Sequence, residues 1–393
     1  MTAETILIIT AVLLAWTYIL YPAGVISASR LRKRVRKESS AAVDLASLPA
    51  VTVVLSVHNE KEVAETKIRS MLASDYPPEL LDFIIGSDGS TDGTNAIIST
   101  LAATNSRIQF IIHAERRGKA AMLNDLVSMA AGEILVVTDA NVMFTPATVR
   151  RLAEGFADPR IGLCDATFRP ASFDNAGVTR QENMYSRFET ALKRAESELW
   201  GTMPGPYGGC YAVRRNLFPV LRDNTLVDDL YVGLSVLKQE YRSVNIREAV
   251  VCEDTQPDMI EQFRRRVRIA AGSFQNLFHF GPFPFRRFSA GFVFFSHKIM
   301  RWLTPLLLLL FFMTTVILSD RSVFYFCITA VQLIFIILSA LDLVLDRQGK
   351  MIRFQRFITQ FLLMNAALAA GFVKALRGIE TGIWEPTKRV KNE

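Results

Sequence analysis

The stretch LDFIIGSDGSTDGT, residues 81–94, decides how this chain folds. It opens as an apolar run from Leu81 to Gly86, then breaks into Ser87-Asp88-Gly89-Ser90-Thr91-Asp92-Gly93 ahead of a helical pattern from Thr94 to Ala103. A short apolar run bounded by turn residues reads as a strand buried on both faces, and the polar cluster as a loop into a helix. The same unit precedes it. Residues 51–60 read VTVVLSVHNE: a β-branched run from Val51 to Val57, then His58-Asn59-Glu60, then helical periodicity from Lys61 to Ser74. Downstream come Ile108 to Ile112, Lys119 to Ala131, Ile134 to Val137, Ala147 to Phe156 and Ile161 to Leu163. Strands alternating with helices predict an α/β fold with a mainly parallel sheet covered on both faces. Ligands of such sheets bind beyond the C-terminal strand ends, where these polar residues fall.

The whole chain has 393 residues, of which 50% are hydrophobic and 21% charged. Its mean hydropathy of +0.23 is high for a wholly soluble protein. With 27 Phe and ordinary levels of Gly (21) and Pro (15), disordered, collagen-like and coiled-coil classes are excluded. Cys164, Cys210, Cys252 and Cys327 form no C-x-x-C pair, so they read as reduced thiols of a cytosol-facing enzyme. The formal charge of +7 suits nucleic acid, anionic lipid or a phosphorylated substrate, and its position separates these. The basic residues flank apolar runs, which argues against nucleic acid.

Four runs are long enough to cross a bilayer: Thr5 to Ser29, Trp302 to Ser319, Ser322 to Leu341 and Phe357 to Val373. Arg30, Arg32, Lys33, Arg34, Arg36 and Lys37 come directly after the first, with only Glu4 ahead of it, so the positive-inside rule puts the chain beyond that run in the cytosol. The tail residues Lys374, Arg377, Lys388, Arg389 and Lys391 prefer the cytosol too, yet four crossings place them outside. Either the last run is re-entrant or the tail breaks the rule. Residues 274–301 mix Phe with Arg, Lys and His around Gly281-Pro282 and read as an interfacial amphipathic segment. The layout expected is therefore a membrane helix (1–29), a basic juxtamembrane linker (30–50), a catalytic domain (51–273), the interfacial segment, membrane helices (302–376) and a basic tail (377–393).

Polar groups cluster at the strand ends. A carboxylate held there, such as Asp88, can accept hydrogen bonds from a uracil imide or a ribose hydroxyl. Arg116-Arg117-Gly118-Lys119 begins a helix, where free N–H groups and cationic side chains favour phosphate, although the Walker spacing is missing. Asp139-Ala140-Asn141 offers two oxygen-bearing side chains two residues apart, as a hard divalent cation on a diphosphate requires; a helix cap is the plainer alternative. Gly208-Gly209-Cys210 suggests a close backbone approach. Asp228-Asp229 pairs two carboxylates in an apolar frame, which should raise at least one pKa. Gln262-Phe263-Arg264-Arg265-Arg266-Val267-Arg268 is either a lipid-facing basic helix or a clamp on a leaving diphosphate.

In order and spacing these motifs resemble the membrane-embedded branch of the family 2 glycosyltransferases, which includes cellulose, hyaluronan and poly-N-acetylglucosamine synthases. The resemblance covers roughly Val51 to Trp302. It implies a GT-A fold with one N-terminal and about three C-terminal transmembrane helices, a UDP-sugar donor, Mg²⁺ or Mn²⁺, and inversion at the anomeric carbon. Residue by residue, it implies donor binding by His58, Glu60, Asp88, Lys119 and Asp139, and metal binding by Asp139 and Asn141. It assigns acceptor or diphosphate contacts to Gly209, Asp228, Gln262, Arg265 and Arg266, and the catalytic base to Asp229. Two positions depart from the pattern: Asn141 replaces a carboxylate of D-x-D, and Arg266 replaces the tryptophan of Q-x-x-R-W, which implies short rather than sustained polymerisation.

The expected protein is thus an integral protein of a bacterial inner or plasma membrane with its catalytic domain in the cytosol. It transfers sugar to a hydroxyl of a glycan or lipid-linked acceptor, in contact with membrane lipids and without nucleic acid. With only four spans, export of a chain calls for an oligomer or a partner. Rival readings are a glycosidase, which needs no nucleotide pocket, and a transporter or scaffold with a regulatory nucleotide-sugar-like domain, for which only Asp342 within a span speaks.

Overall fold

A computed structural model describes residues 2–35, 48–170, 178–253, 259–281, 285–346 and 353–383. The chain begins with α1 (Ala3–Ala15), a π-helical turn over Trp16–Leu20 and α2 (Tyr21–Val35). The helix outlasts the apolar run and continues into the basic stretch read as a linker. There Arg32 donates to the carbonyl oxygens of Glu198 and Leu199, at 3.0 and 2.8 Å. The rest of that linker, residues 36–47, lies outside the described residues.

The body then runs β1 (Val51–Val57), α3 (Lys61–Leu72), β2 (Leu81–Asp88), α4 (Thr94–Ala103), β3 (Ile108–His113), α5 (Lys119–Met129), β4 (Ile134–Thr138), β5 (Val142–Phe144), α6 (Thr148–Glu154), β6 (Ile161–Pro170), α7 (Val178–Trp200), β7 (Cys210–Arg214), α8 (Asp228–Lys238) and β8 (Arg242–Glu253). These eight strands join one sheet in the order β3-β2-β1-β4-β7-β6-β8-β5. Through β3, β2, β1 and β4 it is parallel, as the alternating pattern predicts. Beyond β4 it is mixed: β7 runs antiparallel to both β4 and β6, β5 pairs antiparallel with β8, and β6 pairs parallel with β8.

Successive side chains of a strand point to opposite faces. Accordingly Val53, Leu55, Phe83, Ile85 and Val136 pack with Ile68 and Met71 of α3 and Ile98 of α4. Their neighbours Val54, Ile84, Leu135 and Val137 pack with Met122, Leu123 and Leu126 of α5 and Val232 and Val236 of α8. Burying each such side chain contributes about 1.5–3 kcal/mol, so the central strands are rigid mounts for the loops at their ends.

After the body come α9 (Met259–Phe280), α10 (Phe288–Val293), a π-helical stretch over Phe294–Ile299, α11 (Met300–Trp302), α12 (Thr304–Leu318), α13 (Val323–Asp346) and α14 (Arg353–Leu376). α9 runs unbroken across Ser273, so the arginine-rich motif and the start of the aromatic segment form one helix, which ends where Gly281 takes φ +78°. Within that segment Phe288 is exposed, whereas Phe274, Val293, Phe294, His297 and Ile299 are buried in the fold.

Among the described residues, three helices are long and apolar enough to cross a membrane: Ala3–Arg32, Val323–Leu345 and Gln355–Leu376. The expected run from Trp302 to Ser319 counts as a span only together with the helical stretch Phe288–Trp302 before it. α12 has 15 residues, roughly 22 Å at 1.5 Å each, and bends by 57° from the helical stretch before it. It lies antiparallel beside α1: the Tyr18 hydroxyl donates to Thr304 Oγ1 at 3.2 Å near one end, and Arg321 lies 4.0 Å from Glu4 at the other.

α14 packs along α9, with Phe372 edge-on to Phe274 at 4.9 Å between ring centroids. The chain after it returns to the body, where Asn224 Nδ2 donates to the Ile379 carbonyl at 2.7 Å. Asp342 is buried against Arg356 of α14 at 3.5 Å, a pairing that joins α13 to α14.

Candidate active site

A cavity of about 1240 Å³ opens beyond the C-terminal ends of the parallel strands. All twelve site residues expected from the sequence line it: His58, Glu60, Asp88, Lys119, Asp139, Asn141, Gly209, Asp228, Asp229, Gln262, Arg265 and Arg266. They come from four strand ends, two helix starts and α9, separated by up to 208 residues (266 − 58) in sequence.

At the end of β1, His58 Nδ1 meets the Asp88 carbonyl oxygen at 2.6 Å. Asn59 takes φ +54° and ties the β1 loop to the β2 loop: its N–H donates to Ser90 Oγ and its side-chain oxygen accepts from Thr91 N–H. Glu60 N–H donates to Thr94 Oγ1. Asp88 is only 3% exposed and accepts from the backbone N–H groups of Arg117 (2.6 Å) and Gly118 (2.8 Å). Part of the N–H array expected to meet a phosphate is therefore spent on Asp88, whose oxygens each keep a second lone pair. Gly118 makes the turn into α5 at φ +94°, a region that disfavours side chains.

Lys119, the first residue of α5, bridges the two acidic ends of the site, 2.9 Å from Asp139 Oδ1 and 3.3 Å from Asp228 Oδ1. Burial pushes its ammonium down, but the Asp139 and Asp228 carboxylates more than offset this and hold it above its ordinary range. Beneath the Asp139-Ala140-Asn141 turn lies Lys67, fully buried, donating to Thr138 Oγ1 at 2.8 Å and to the Val142 carbonyl. Burial brings it down to about 7. These bonds fix both flanks of the turn.

Asp228 and Asp229 open α8. Burial first, and then the neighbouring Asp228 charge, push the Asp229 carboxyl up to about 6, with Lys119 opposing. Gly208 is what lets this carboxylate sit where it does, since a Cβ on it would fall 2.7 Å from Asp229 Oδ2. On the third side α9 presents Gln262, Arg265, Arg266 and Arg268. Burial and the adjacent Arg265 bring Arg268 down to about 10.

Several wall residues escaped the sequence reading. Glu253 ends β8, is 7% exposed, and accepts from Asn141 Nδ2 at 2.6 Å and from the Tyr207 hydroxyl. Asp165 ends a straight stretch of β6, is 1% exposed, accepts from Tyr207 N–H and lies 3.7 Å from Lys193. Burial pushes Asp165 up to about 6, with Lys193 opposing. The available signal was the one used elsewhere, an acidic residue closing an apolar β-branched run, as in Val250-Val251-Cys252-Glu253.

The cavity also reaches the apolar helices. Tyr18 of the first helix, Trp302 of α11, and Phe357, Phe361 and Leu368 of α14 line that arm. Lys298 and Arg301 line it too, held by Glu189 at 3.1 and 2.6 Å.

Residues 52–221 match the family model Glycosyl transferase family 2. "Probable glycosyltransferase YdaM" of Bacillus subtilis (strain 168) is 24% identical over 237 residues, 58% of this chain and 56% of that protein. "Poly-beta-1,6-N-acetyl-D-glucosamine synthase" of Staphylococcus aureus (strain COL) is 27% identical over 168 residues, 42% of this chain and 40% of that one. The chain thus spans about half the length of the curated relatives it matches. Among solved structures, the mannosyltransferase PcManGT from Pyrobaculum calidifontis, in complex with GDP-Man and Mn²⁺, superposes with a TM-score of 0.67 at 24% identity, over 94% of this chain and 99% of that one.

The sheet, its helices and this likeness define a GT-A fold. Residues 52–221 are similar to family 2 glycosyltransferase domains and to proteins named as glycosyltransferases. The matched segment stops at 221, before Asp228-Asp229 and the arginines of α9.

Proposed function

We propose that the protein is an inverting glycosyltransferase that moves a sugar from a nucleoside-diphosphate donor, UDP-sugar foremost, to a hydroxyl of an amphiphilic, lipid-linked acceptor. The observation that carries this reading is a cavity that joins the strand-end carboxylates to an arm lined by Tyr18, Trp302, Phe357, Phe361 and Leu368 of the apolar helices, with the cationic Lys298 and Arg301 beside them. At about 1240 Å³ it exceeds the roughly 300–1,000 Å³ usual for one small ligand, so donor and acceptor fit together.

Asp229 takes the proton from the acceptor hydroxyl. That oxygen bonds to the anomeric carbon while the bond to the diphosphate oxygen breaks on the opposite face, which inverts the centre. A carboxyl raised to about 6 is mostly ionised at neutral pH yet basic enough to serve. Lys119, Arg265 and Arg268 line the cavity where they offset charge growing on the departing diphosphate.

The Asp139 carboxylate and the Asn141 amide oxygen suit Mg²⁺ or Mn²⁺, which binds through one or two protein oxygens and completes its shell with phosphate and water. Bound there, such an ion neutralises the diphosphate. Among the described residues no group of three or more His, Cys, Asp or Glu side chains could hold a metal by itself.

Between the body and the tail docked on it, the chain must cross a membrane an even number of times. We assign the two crossings to α13 and to α12 joined with the helical stretch before it, since α12 passes as a span only as part of that bent pair. We lay α14, although it is long and apolar enough to cross, along the surface beside α9, which reconciles the basic tail with a cytosolic body. Arg266 in place of tryptophan fits addition of one or a few sugars. Asp342, the in-span carboxylate that suggested transport, is paired with Arg356 at 3.5 Å.

The test is Phe361→Arg, which sets a charge among the aromatic side chains of this arm. It is expected to keep nucleotide binding and to lose transfer to extracted membrane lipid at least tenfold. Unchanged transfer would show that the acceptor does not use this arm.

A further inference from the structure

Asn141 stands where a carboxylate is usual, and the structure sets a carboxylate beside it. β5 pairs with β8 in a register that aligns Val142 with Glu253, so the end of β8 abuts the Asp139–Asn141 turn. Asn141 Nδ2 donates to Glu253 Oε1 at 2.6 Å. The other oxygen of Glu253 accepts from the Tyr207 hydroxyl, and Arg265 lies 3.9 Å from Oε1. Glu253 is thus gripped from three sides at 7% exposure.

An ionised carboxylate only accepts hydrogen bonds, so Asn141 must turn its NH₂ toward Glu253, and its oxygen becomes the opposite arm of the amide. Oxygen is what a hard divalent cation takes. We propose that Glu253 is a positioning residue of the metal site: it locks Asn141 with the amide oxygen free for the cation and returns to the turn the negative charge that the Asp-to-Asn departure removes. The inference rests on the glycosyltransferase reading of the cavity.

This arrangement makes the two positions interdependent. Asn141→Asp alone, although it restores the usual residue, places two carboxylates in hydrogen-bond contact with no proton between them. Glu253→Gln alone removes the charge and lets the Asn141 amide face either way. The exchange Asn141→Asp/Glu253→Gln restores one donor, one acceptor and the same net charge.

The experiment titrates Mn²⁺, alone and with UDP or GDP, into the wild type, the two single variants and the double variant, reading free Mn²⁺ by electron paramagnetic resonance. Unfolding midpoints without metal are recorded alongside. Loss of an outer-shell partner typically weakens metal binding by about 10–100-fold. Each single variant should show such a loss, and the double variant should return to within about threefold of the wild type.

Additive losses in the double variant overturn the pairing, as does an Asn141→Asp protein that binds Mn²⁺ more tightly than the wild type. A purely structural pair would shift the unfolding midpoints in the expected pattern and leave Mn²⁺ affinity unchanged, which also overturns it. A wild type that binds no Mn²⁺ even with nucleotide overturns the metal-dependent transferase reading itself and the pairing with it.

Discussion

Replacing Asp229 by Asn should make the protein more stable and almost inactive at once. In the fold the Asp229 carboxyl is raised from 3.8 to about 6, by burial first and by Asp228 second. That rise corresponds to about 3 kcal/mol between the protonated and ionised forms. A carboxyl whose pKa is raised on folding contributes its stability where it is protonated, and that contribution is lost as pH rises through the folded value. At pH 7.5 the ionised Asp229 therefore weakens the fold by up to about 3 kcal/mol relative to acid, and below about pH 4 the difference disappears. Asn keeps the shape without the charge, so at pH 7.5 the unfolding midpoint should rise, by roughly 6–12 °C if a domain of this size shifts 2–4 °C per kcal/mol. The gain should shrink toward zero between pH 7.5 and 4.5. Transfer should fall by about 10²–10⁴-fold, the usual worth of a general base, with nucleotide binding intact. Thermal unfolding at the two pH values and assays of nucleoside diphosphate release read both effects. If Asp229 instead serves the N-terminus of α8, its charge favours the helix dipole; Asn would then lower the midpoint and spare turnover. That outcome would refute the reasoning.

The same geometry sets three other expectations. Asp139→Ala should abolish metal-dependent nucleotide binding as well as turnover, in contrast to Asp229→Asn, and calorimetry separates the two. The wild-type kcat/KM should fall on the acid side with an apparent pKa near 6, the Asp229 value, and a pH–rate profile without that limb would remove Asp229 from the base role. Gly208→Ala, whose Cβ would fall 2.7 Å from Asp229 Oδ2, should lower transfer at least tenfold through displacement of that carboxylate.

The parallel half of the body was legible because its runs are buried on both faces and bounded by turn residues. Val51–Val57 and Thr94–Ala103 form with the ends the pattern sets, and the loops after β1, β2 and β4 carry their polar residues to one cavity. The antiparallel half was not, because Cys210–Arg214 is short and Arg242–Glu253 alternates in burial with charged residues at its middle. That hid Glu253, which is meaningful only through its strand's pairing with β5. The use of Asp88 was half legible: its place at a strand end is local, but its grip on Arg117 and Gly118 depends on how α5 packs. Length and hydropathy found the apolar runs and could not place α14, because what holds it is aromatic packing on α9 and the docking of the chain beyond it.

The measurement closest to the central claim supplies purified protein in lipid nanodiscs with Mn²⁺, a panel of UDP- and GDP-sugars and a membrane-lipid extract, then monitors nucleoside diphosphate release and identifies the product by mass spectrometry. One donor should give release dependent on the extract, with one or a few sugar units recovered on an extractable lipid. No release with any donor, or sugar recovered only as a long water-soluble polymer, would contradict it.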